Sequence, residues 1–251
     1  MDAITNPGMS QSIYLLSSKL AAQQRQFTVI SDNVANVNTP GFKRLTYNYE
    51  TESARKNGTE VGDFVKHIGV LIDHTEGVKS TTNNPFDMAI HGEGFFAIET
   101  AQGTKYSRDG HFTLNNLGQI VTAKNEPLLS NAGAPITVPA GAQNLQISAD
   151  GSISSNGGII GTIGLYNFAQ DELQQLNRAG NGFFAPDGIA AQLVENPRVH
   201  SGQIETANIN AVEEMIQLKQ LTHSYQSAIR RIRAMEDLEE RAIRTLATSP
   251  Q

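Results

Sequence analysis

Glycine and proline are concentrated in the middle of this chain, and that partition fixes its layout. Of 22 glycines, 20 lie between Gly58 and Gly202, and seven of the nine prolines lie between Pro40 and Pro197. Both residues disrupt regular helix, glycine through its backbone entropy and proline through its missing donor. The centre is therefore predicted to be turn-rich β-structure and the two ends helical. Charge divides in the same place. Leu45 to Ile209 carries 9 basic and 17 acidic residues, whereas Asn210 to Gln251 carries 6 of each.

The N-terminal arm carries a heptad. Ile13, Leu16, Leu20, Phe27, Ile30, Val34 and Val37 follow alternating steps of three and four, with Gln23 the one interruption. Such spacing makes a narrow apolar seam on a helix. The helix is predicted to start near Ser10 and to stop by Asn38, because Thr39-Pro40-Gly41 follows. The C-terminal arm has the same rhythm in Leu218, Leu221, Tyr225, Ala228, Ile232, Met235, Ala242 and Leu246, broken by Glu239. Asn210-Ala-Val-Glu213 reads as a capping box. From Asn210 to about Ala247 that helix would span roughly 57 Å. A compact β domain of this size is about 30–40 Å across. Arms of such length and apolar seam call for partners, each other and other copies, and a head-to-tail contact that does not close gives a filament or tube.

In the centre, Asp109-Gly110, Asp150-Gly151 and Asp187-Gly188 are turn signals. Alternating stretches such as Phe112-Thr-Leu114, Ile136-Thr-Val138 and Leu145-Gln-Ile147 lie around them, and eight of ten phenylalanines fall between Phe64 and Phe184. The fold class is thus α+β: discontinuous N- and C-terminal helices forming a coiled-coil-like arm, with a mainly-β domain inserted between them. The expected divisions are 1–43 (helical arm and its exit), 44–62 (a polar, extended linker), 63–205 (β domain) and 206–251 (second arm).

Signals for chemistry are weak. The net charge of −6 speaks against generic nucleic-acid or anionic-membrane binding. No apolar run has the length of a membrane span, and no N-terminal stretch has the pattern of a cleaved secretory signal. With no cysteine there is no disulfide, thiolate metal site or Cys nucleophile. Gly92-Glu-Gly94-Phe-Phe-Ala97 fits a loose dinucleotide fingerprint, yet Phe95, Phe96 and Ile98 continue as strand where a helix should open. The six histidines lack helical metal spacing, and there is no GxSxG elbow. No catalytic, cofactor or metal residues are assigned, and the chain is not expected to be an enzyme. A secreted polysaccharide hydrolase built on a carboxylate pair is the alternative from another class. Arg230, Arg231 and Arg233 form a small basic cluster ahead of Glu236, Asp237, Glu239 and Glu240. It reads as a solvated helix face or, more sharply, as an intersubunit salt-bridge surface.

Four segments in order carry a resemblance. NVANVNTPGFK (Asn33 to Lys43) and SGQIETANINAVEEM (Ser201 to Met215) are similar to the N- and C-terminal signatures of bacterial flagellar rod and hook proteins. DMAIHGEGFFAIE (Asp87 to Glu99) and YSRDGHF (Tyr106 to Phe112) resemble the entry to that family's β domain. Length and detail, including NGFFAPDG (Asn181 to Gly188), resemble the proximal-rod members more than distal-rod or hook proteins. The resemblance implies a structural subunit of the periplasm-spanning rod that transmits torque for motility. It would be exported by the flagellar type III apparatus without a cleaved signal. Its partners would be copies of itself and neighbouring rod proteins, with no nucleic acid and no membrane insertion. The expected assembly interface is Ile13, Leu16, Leu20, Phe27, Ile30, Val34 and Val37 with Leu218, Leu221, Tyr225, Ile232, Met235 and Leu246. Asn33, Asn36, Pro40, Gly41 and Phe42 are the signature positions. Pro40-Gly41 would fix the exit from the first helix, and Asn33 and Asn36 would bond nearby backbone or a neighbouring subunit.

Overall fold

The computed structural model describes residues 7–56, 59–142 and 145–247. Helix α1 spans Pro7–Ala35 and helix α2 spans Ala211–Ala247, with β-structure between them. The chain divides into two compact units. The terminal unit is built from 1–34, 45–71 and 210–251, and the β unit from 35–44 and 72–209.

In the terminal unit, α1 begins three residues before the predicted Ser10, on a proline. That residue suits a first helical turn, where its missing N–H has no partner to lose. The helix ends at Ala35, so Val37 lies in the turn that follows. Asn210 caps α2: its Oδ1 accepts from the amides of Val212 (3.1 Å) and Glu213 (3.3 Å). Glu214 rather than Glu213 is the buried acid of that first turn. The stretch 44–62, read as a linker, is extended but paired. Strands β1 (Leu45–Lys56) and β2 (Thr59–Ile72) form a two-stranded sheet. Alternating Leu45, Tyr47 and Tyr49 give β1 its strand character, and the rings of Tyr47 and Tyr49 meet edge to face at 5.3 Å.

The β unit opens with β3 (Lys79–Thr81), β4 (Met88–Ile90), β5 (Phe95–Thr100) and β6 (Gly103–Ser107). Short strands β7 (Thr113–Leu114), β8 (Ile120–Val121), β9 (Gln146–Ile147), β10 (Ser152–Ser155) and β11 (Gly158–Thr162) follow. The unit closes with β12 (Leu165–Asn167), β13 (Asn177–Ala179), β14 (Gly182–Phe184), β15 (Gln192–Leu193), β16 (Val199–Ser201) and β17 (Gln203–Glu205). Its main sheet has six strands in the order β13-β14-β6-β5-β12-β15, with every neighbour antiparallel. Strand β5 lies inside it and is buried on both faces, so it reads as a continuous apolar run. Phe96 and Ile98 face one core with Met88, Ile90, Phe112, Ile120, Leu128, Ile153, Ile163 and Leu165. Phe95 faces a second core with Phe168, Leu176 and Phe183. The Gly92–Gly94 stretch therefore runs into a strand and has no phosphate-binding helix behind it.

The Asp-Gly signals take different roles. Asp150-Gly151 makes the turn between β9 and β10, with Gly151 at φ +78° and its amide on the Ser148 carbonyl at 3.0 Å. Gly110 instead marks a close approach: a Cβ there would fall 1.6 Å from the Met88 carbonyl oxygen.

Candidate assembly site

In the terminal unit, polar side chains join α1, β1 and α2. Asn33, 1% exposed, works as a clamp. Its Oδ1 accepts from the Leu45 amide at 2.8 Å, and its Nδ2 donates to the Leu45 carbonyl at 2.9 Å and to Glu214 Oε2 at 3.3 Å. Gln23 Nε2 donates to Ser224 Oγ at 2.7 Å, and Gln26 donates to the Tyr49 hydroxyl. Asn33 lies ten residues after Gln23, and Ser224 lies ten after Glu214, so α1 and α2 run antiparallel in one register across both contacts. A groove of about 520 Å³ lies beside them, lined by Ala22, Gln23, Ile30, Tyr47, Tyr49 and Leu221 among others.

The buried stripe of α1 is Ala22, Gln23, Gln26, Val29, Ile30 and Asn33. Of the apolar seam, Ile30 is buried and Leu16, Leu20 and Val34 are half-buried, while Phe27 stands 46% exposed. Gln23, which interrupts the apolar heptad, lies within the buried stripe. On α2, Ala228 is buried and Leu218, Leu221, Tyr225, Ile232 and Met235 are half-buried. The side chains of Ile13, Ala242 and Leu246 lie outside the described residues. Sequence reasoning missed Gln26; it expected Asn33 to bond nearby backbone or a neighbouring subunit and did not foresee Glu214 as its partner. The available signal was amides at 23, 26 and 33, at helical spacing along an apolar stripe.

In the β unit, the remaining signature residues enclose a buried charge cluster. The Thr39 amide donates to the Asn36 carbonyl at 3.0 Å in the turn before Pro40, and the Phe42 amide donates to the Thr39 carbonyl at 3.3 Å in the turn that holds Pro40. Gly41 follows at φ +66°, and its amide donates to the Glu205 carbonyl at 2.8 Å. A Cβ on Gly41 would sit 2.2 Å from the backbone carbon of Arg108, so the position needs glycine for both conformation and space. Phe42 is buried beneath the Arg178 guanidinium, 4.5 Å from its ring centroid.

Glu205, 1% exposed, is the hub of the cluster. Its Oε1 accepts from Lys43 Nζ at 2.7 Å and the Gly77 amide at 2.9 Å, and its Oε2 accepts from Arg108 Nη1 at 3.2 Å. Lys43 also donates to the Thr75 carbonyl at 2.7 Å, and Arg108 Nη2 to the Gly92 carbonyl at 2.7 Å. One carboxylate thus holds two buried cations. Burial holds the Lys43 amine below its usual range, against the opposing pull of Glu205. Burial also pushes the His74 imidazole down to about 4, and the Lys43 and Arg108 charges act in the same direction. Nearby, Asn208 joins its own loop to two others: its Oδ1 accepts from the Arg44 amide at 2.6 Å, and its Nδ2 donates to the carbonyls of Asp73 (2.9 Å) and Thr75 (3.1 Å). These are structural contacts that bring residues 43, 108 and 205 to one point.

Three family profiles match the chain, and they fall on those three segments. "Flagella basal body rod protein" matches residues 13–43, "Flagellar hook protein FlgE/F/G D1 domain" matches 89–155, and "Flagellar basal body rod FlgEFG protein C-terminal" matches 200–245. The flagellar basal-body rod protein FlgF of Mesorhizobium japonicum is 32% identical over 242 residues, covering 96% of this chain and 99% of the relative. The chain belongs to the flagellar basal-body rod protein family. FlgF of Rhizobium meliloti is 31% identical, covering 96% of this chain and all of that protein. The rod protein FlgG of Bacillus subtilis is 29% identical over 87% of this chain and 92% of its own. Lys43, Arg108 and Glu205 each come from a segment matched by a different profile, so within the β unit the charge cluster joins residues of all three. No helix among the described residues is long and apolar enough to cross a membrane.

Proposed function

We propose that this chain is a structural subunit of the flagellar rod, self-assembling through its two terminal helices into the periplasm-spanning shaft that transmits torque. The observation that carries this reading is the unfinished apolar surface of the terminal unit. Phe27 on α1 and Val212, Met215, Ile216 and Leu238 on α2 are exposed, next to an antiparallel helix pair joined by a few polar contacts. Contiguous exposed apolar side chains on long helices mark surfaces that other helices cover. The seam residues Leu218, Leu221, Tyr225, Ile232 and Met235, with Ile13, Leu16, Leu20, Ile30, Val34, Val37 and Leu246, would complete a coiled-coil-like arm on assembly.

The position within the rod that fits is the proximal segment, on the likeness to FlgF along nearly the whole chain. Partners are other copies and the adjacent rod proteins, and the chain passes through the flagellar export apparatus on the way. Absence of cysteine suits such a passage, since no thiol can mispair in an oxidising compartment. The role is mechanical, with no catalytic step.

Deletion of the gene in its own host tests this, scored by swimming and by electron microscopy of purified basal bodies. Loss of the rod beyond its base, restored by the plasmid-borne gene, is expected. Intact flagella and normal swimming would overturn the proposal.

A further inference from the structure

Asn-Gly occurs three times in the chain, at Asn57-Gly58, Asn156-Gly157 and Asn181-Gly182. The first pair lies outside the described residues, and the other two have opposite surroundings. Asn156-Gly157 is the two-residue tip between β10 and β11, with Ser155 opposite Gly158. Positive φ at both residues, +51° and +81°, marks the kind of tight hairpin turn that Asn-Gly favours. Asn156, Gly157 and Gly158 are exposed, and a Cβ on Gly157 would meet nothing within 4 Å. Among the described residues, the Asn156 side chain and the Gly157 amide make no hydrogen bond. Asn181 is held instead. Its Nδ2 donates to Asp109 Oδ2 at 2.6 Å, and its backbone carbonyl accepts from Ser107 Oγ at 3.0 Å. Gly182 is buried in β14 between β13 and β6, where a Cβ would fall 2.8 Å from the Tyr106 carbonyl oxygen.

We propose that Asn156 is a site of spontaneous covalent modification, at which the Gly157 nitrogen closes on the side-chain amide and water then opens the ring to isoaspartate or aspartate. The Gly157 nitrogen, its proton lost to solvent base, forms a bond to Asn156 Cγ. The Cγ–Nδ2 bond breaks, and the nitrogen leaves as ammonia with a proton from water. Hydrolysis of the five-membered imide at either carbonyl then leaves a carboxylate, so the net change is an amide and water for an acid and ammonia. Three features of the turn serve this step. Glycine leaves the attacking nitrogen without a side chain beside it. The Asn156 carboxamide has no bond among the described residues to give up. The backbone rotation that brings nitrogen to Cγ falls at a hairpin tip next to two glycines, where local opening costs least. At Asn181 the same step would have to break the Asp109 bond and draw Gly182 out of its sheet. The proposal is independent of the rod reading.

The products would act on the hairpin itself. Isoaspartate adds a methylene to the main chain within a two-residue turn whose geometry sets the strand register. Either product adds a negative charge at the tip. Strand β11 is the edge of its three-stranded sheet, paired with β10, so the first effect falls on β11 and on Ile159, which is already 76% exposed.

The test ages the full-length protein in mildly alkaline buffer and maps its peptides by mass spectrometry, with fragmentation that separates isoaspartate from aspartate. A gain of one mass unit at Asn156 is expected, with isoaspartate among the products. Conversion at Asn181, which must open first, should be slower by about tenfold or more. Gly157→Ala places a side chain beside the attacking nitrogen and is expected to slow conversion of Asn156 about tenfold. Alanine is strained at positive φ, so Asn156→Gln supplies a second variant: its longer side chain cannot close the five-membered ring, and no conversion is expected there. Hydrogen exchange of β11 should rise as the native sequence ages and stay constant in Asn156→Gln. Conversion of Asn156 no faster than that of Asn181 would overturn the proposal, as would aspartate formed without isoaspartate. Equal exchange of β11 in the two aged proteins would overturn its effect on the hairpin.

Discussion

The β unit and the terminal unit bury different things. In the β unit Met88, Phe96, Ile98, Phe112, Ile120, Leu128, Ile153 and Ile163 are essentially fully buried, and the one buried carboxylate hub is matched by two cations. In the terminal unit the buried set mixes Ala22, Val29, Ile30 and Ala228 with Gln23, Gln26, Asn33 and Glu214, while several large apolar side chains face outward. A dense apolar core stabilises a fold by itself. Polar contacts add little net stability but set which groups face each other. The β unit is held chiefly by its apolar cores, and the terminal unit adds polar contacts that fix the register of its helices.

The sharpest attack on that contrast is Glu205→Gln. It removes the one anion between two buried cations, and breaking such a buried group costs about 3–5 kcal/mol. Chemical unfolding followed by circular dichroism should show the loss, with hydrogen exchange rising first around residues 39–45, 75–78 and 203–208. A loss below about 1 kcal/mol would mean that water reaches the cluster and that it does not hold the β unit closed.

Acid should separate the two units as well. His74 holds its folded pKa near 4, below the ordinary imidazole value. The unfolded chain therefore takes up the proton first, and stability of the β unit is lost as pH falls from about 6.5 towards 4. The loss reaches about 2–3 kcal/mol after allowing for partial exposure. His74→Phe would preserve ring contacts with Phe95 and Phe183 at 6.1 and 5.6 Å and flatten this dependence. An unchanged acid profile in that variant would place the sensitivity elsewhere.

Asn33→Ala addresses the terminal unit on its own terms. It leaves the buried Leu45 amide without its acceptor and removes one hydrogen bond from Glu214, at about 1–3 kcal/mol. Proteolysis of the full chain should quicken near β1 and the start of α2 while the β unit keeps its protection. Equal protection in the variant would show that apolar packing, not the clamp, sets the register.

What was legible in the sequence follows the same division. Helix ends announce themselves locally: Thr39-Pro40-Gly41 stops α1 and Asn210 caps α2, because both act within a few residues. The central strand Phe95–Thr100 was legible because its apolar run is continuous. The charge cluster was not. Lys43 and Arg108 lie 162 and 97 residues from Glu205, and no local pattern joins a cation to an acid over that distance. The buried face of α1 was half legible. An apolar heptad finds Ile30, but Gln26 and Asn33 look like surface residues until their partners on β1 and α2 are in view. Strand β1 was read as linker for the same reason, since a lone polar strand with two tyrosines shows its pairing only beside β2.

The smallest expected effect on stability is the most telling for assembly. Phe27 belongs to the apolar heptad yet stands nearly half exposed, so it contributes little to the isolated chain. Phe27→Ser should change unfolding of the soluble protein by less than about 0.5 kcal/mol. If the seam is completed by neighbouring subunits, the same substitution places a polar group in a buried contact, where its loss of apolar area is worth about 1.5–3 kcal/mol at every copy. Swimming and rod content should then fall although the monomer is as stable as before. A drop in both monomer stability and assembly would assign Phe27 to the internal packing of the terminal unit. No change in either would leave α1 with only its buried stripe to hold its place, and would move the assembly surface to α2.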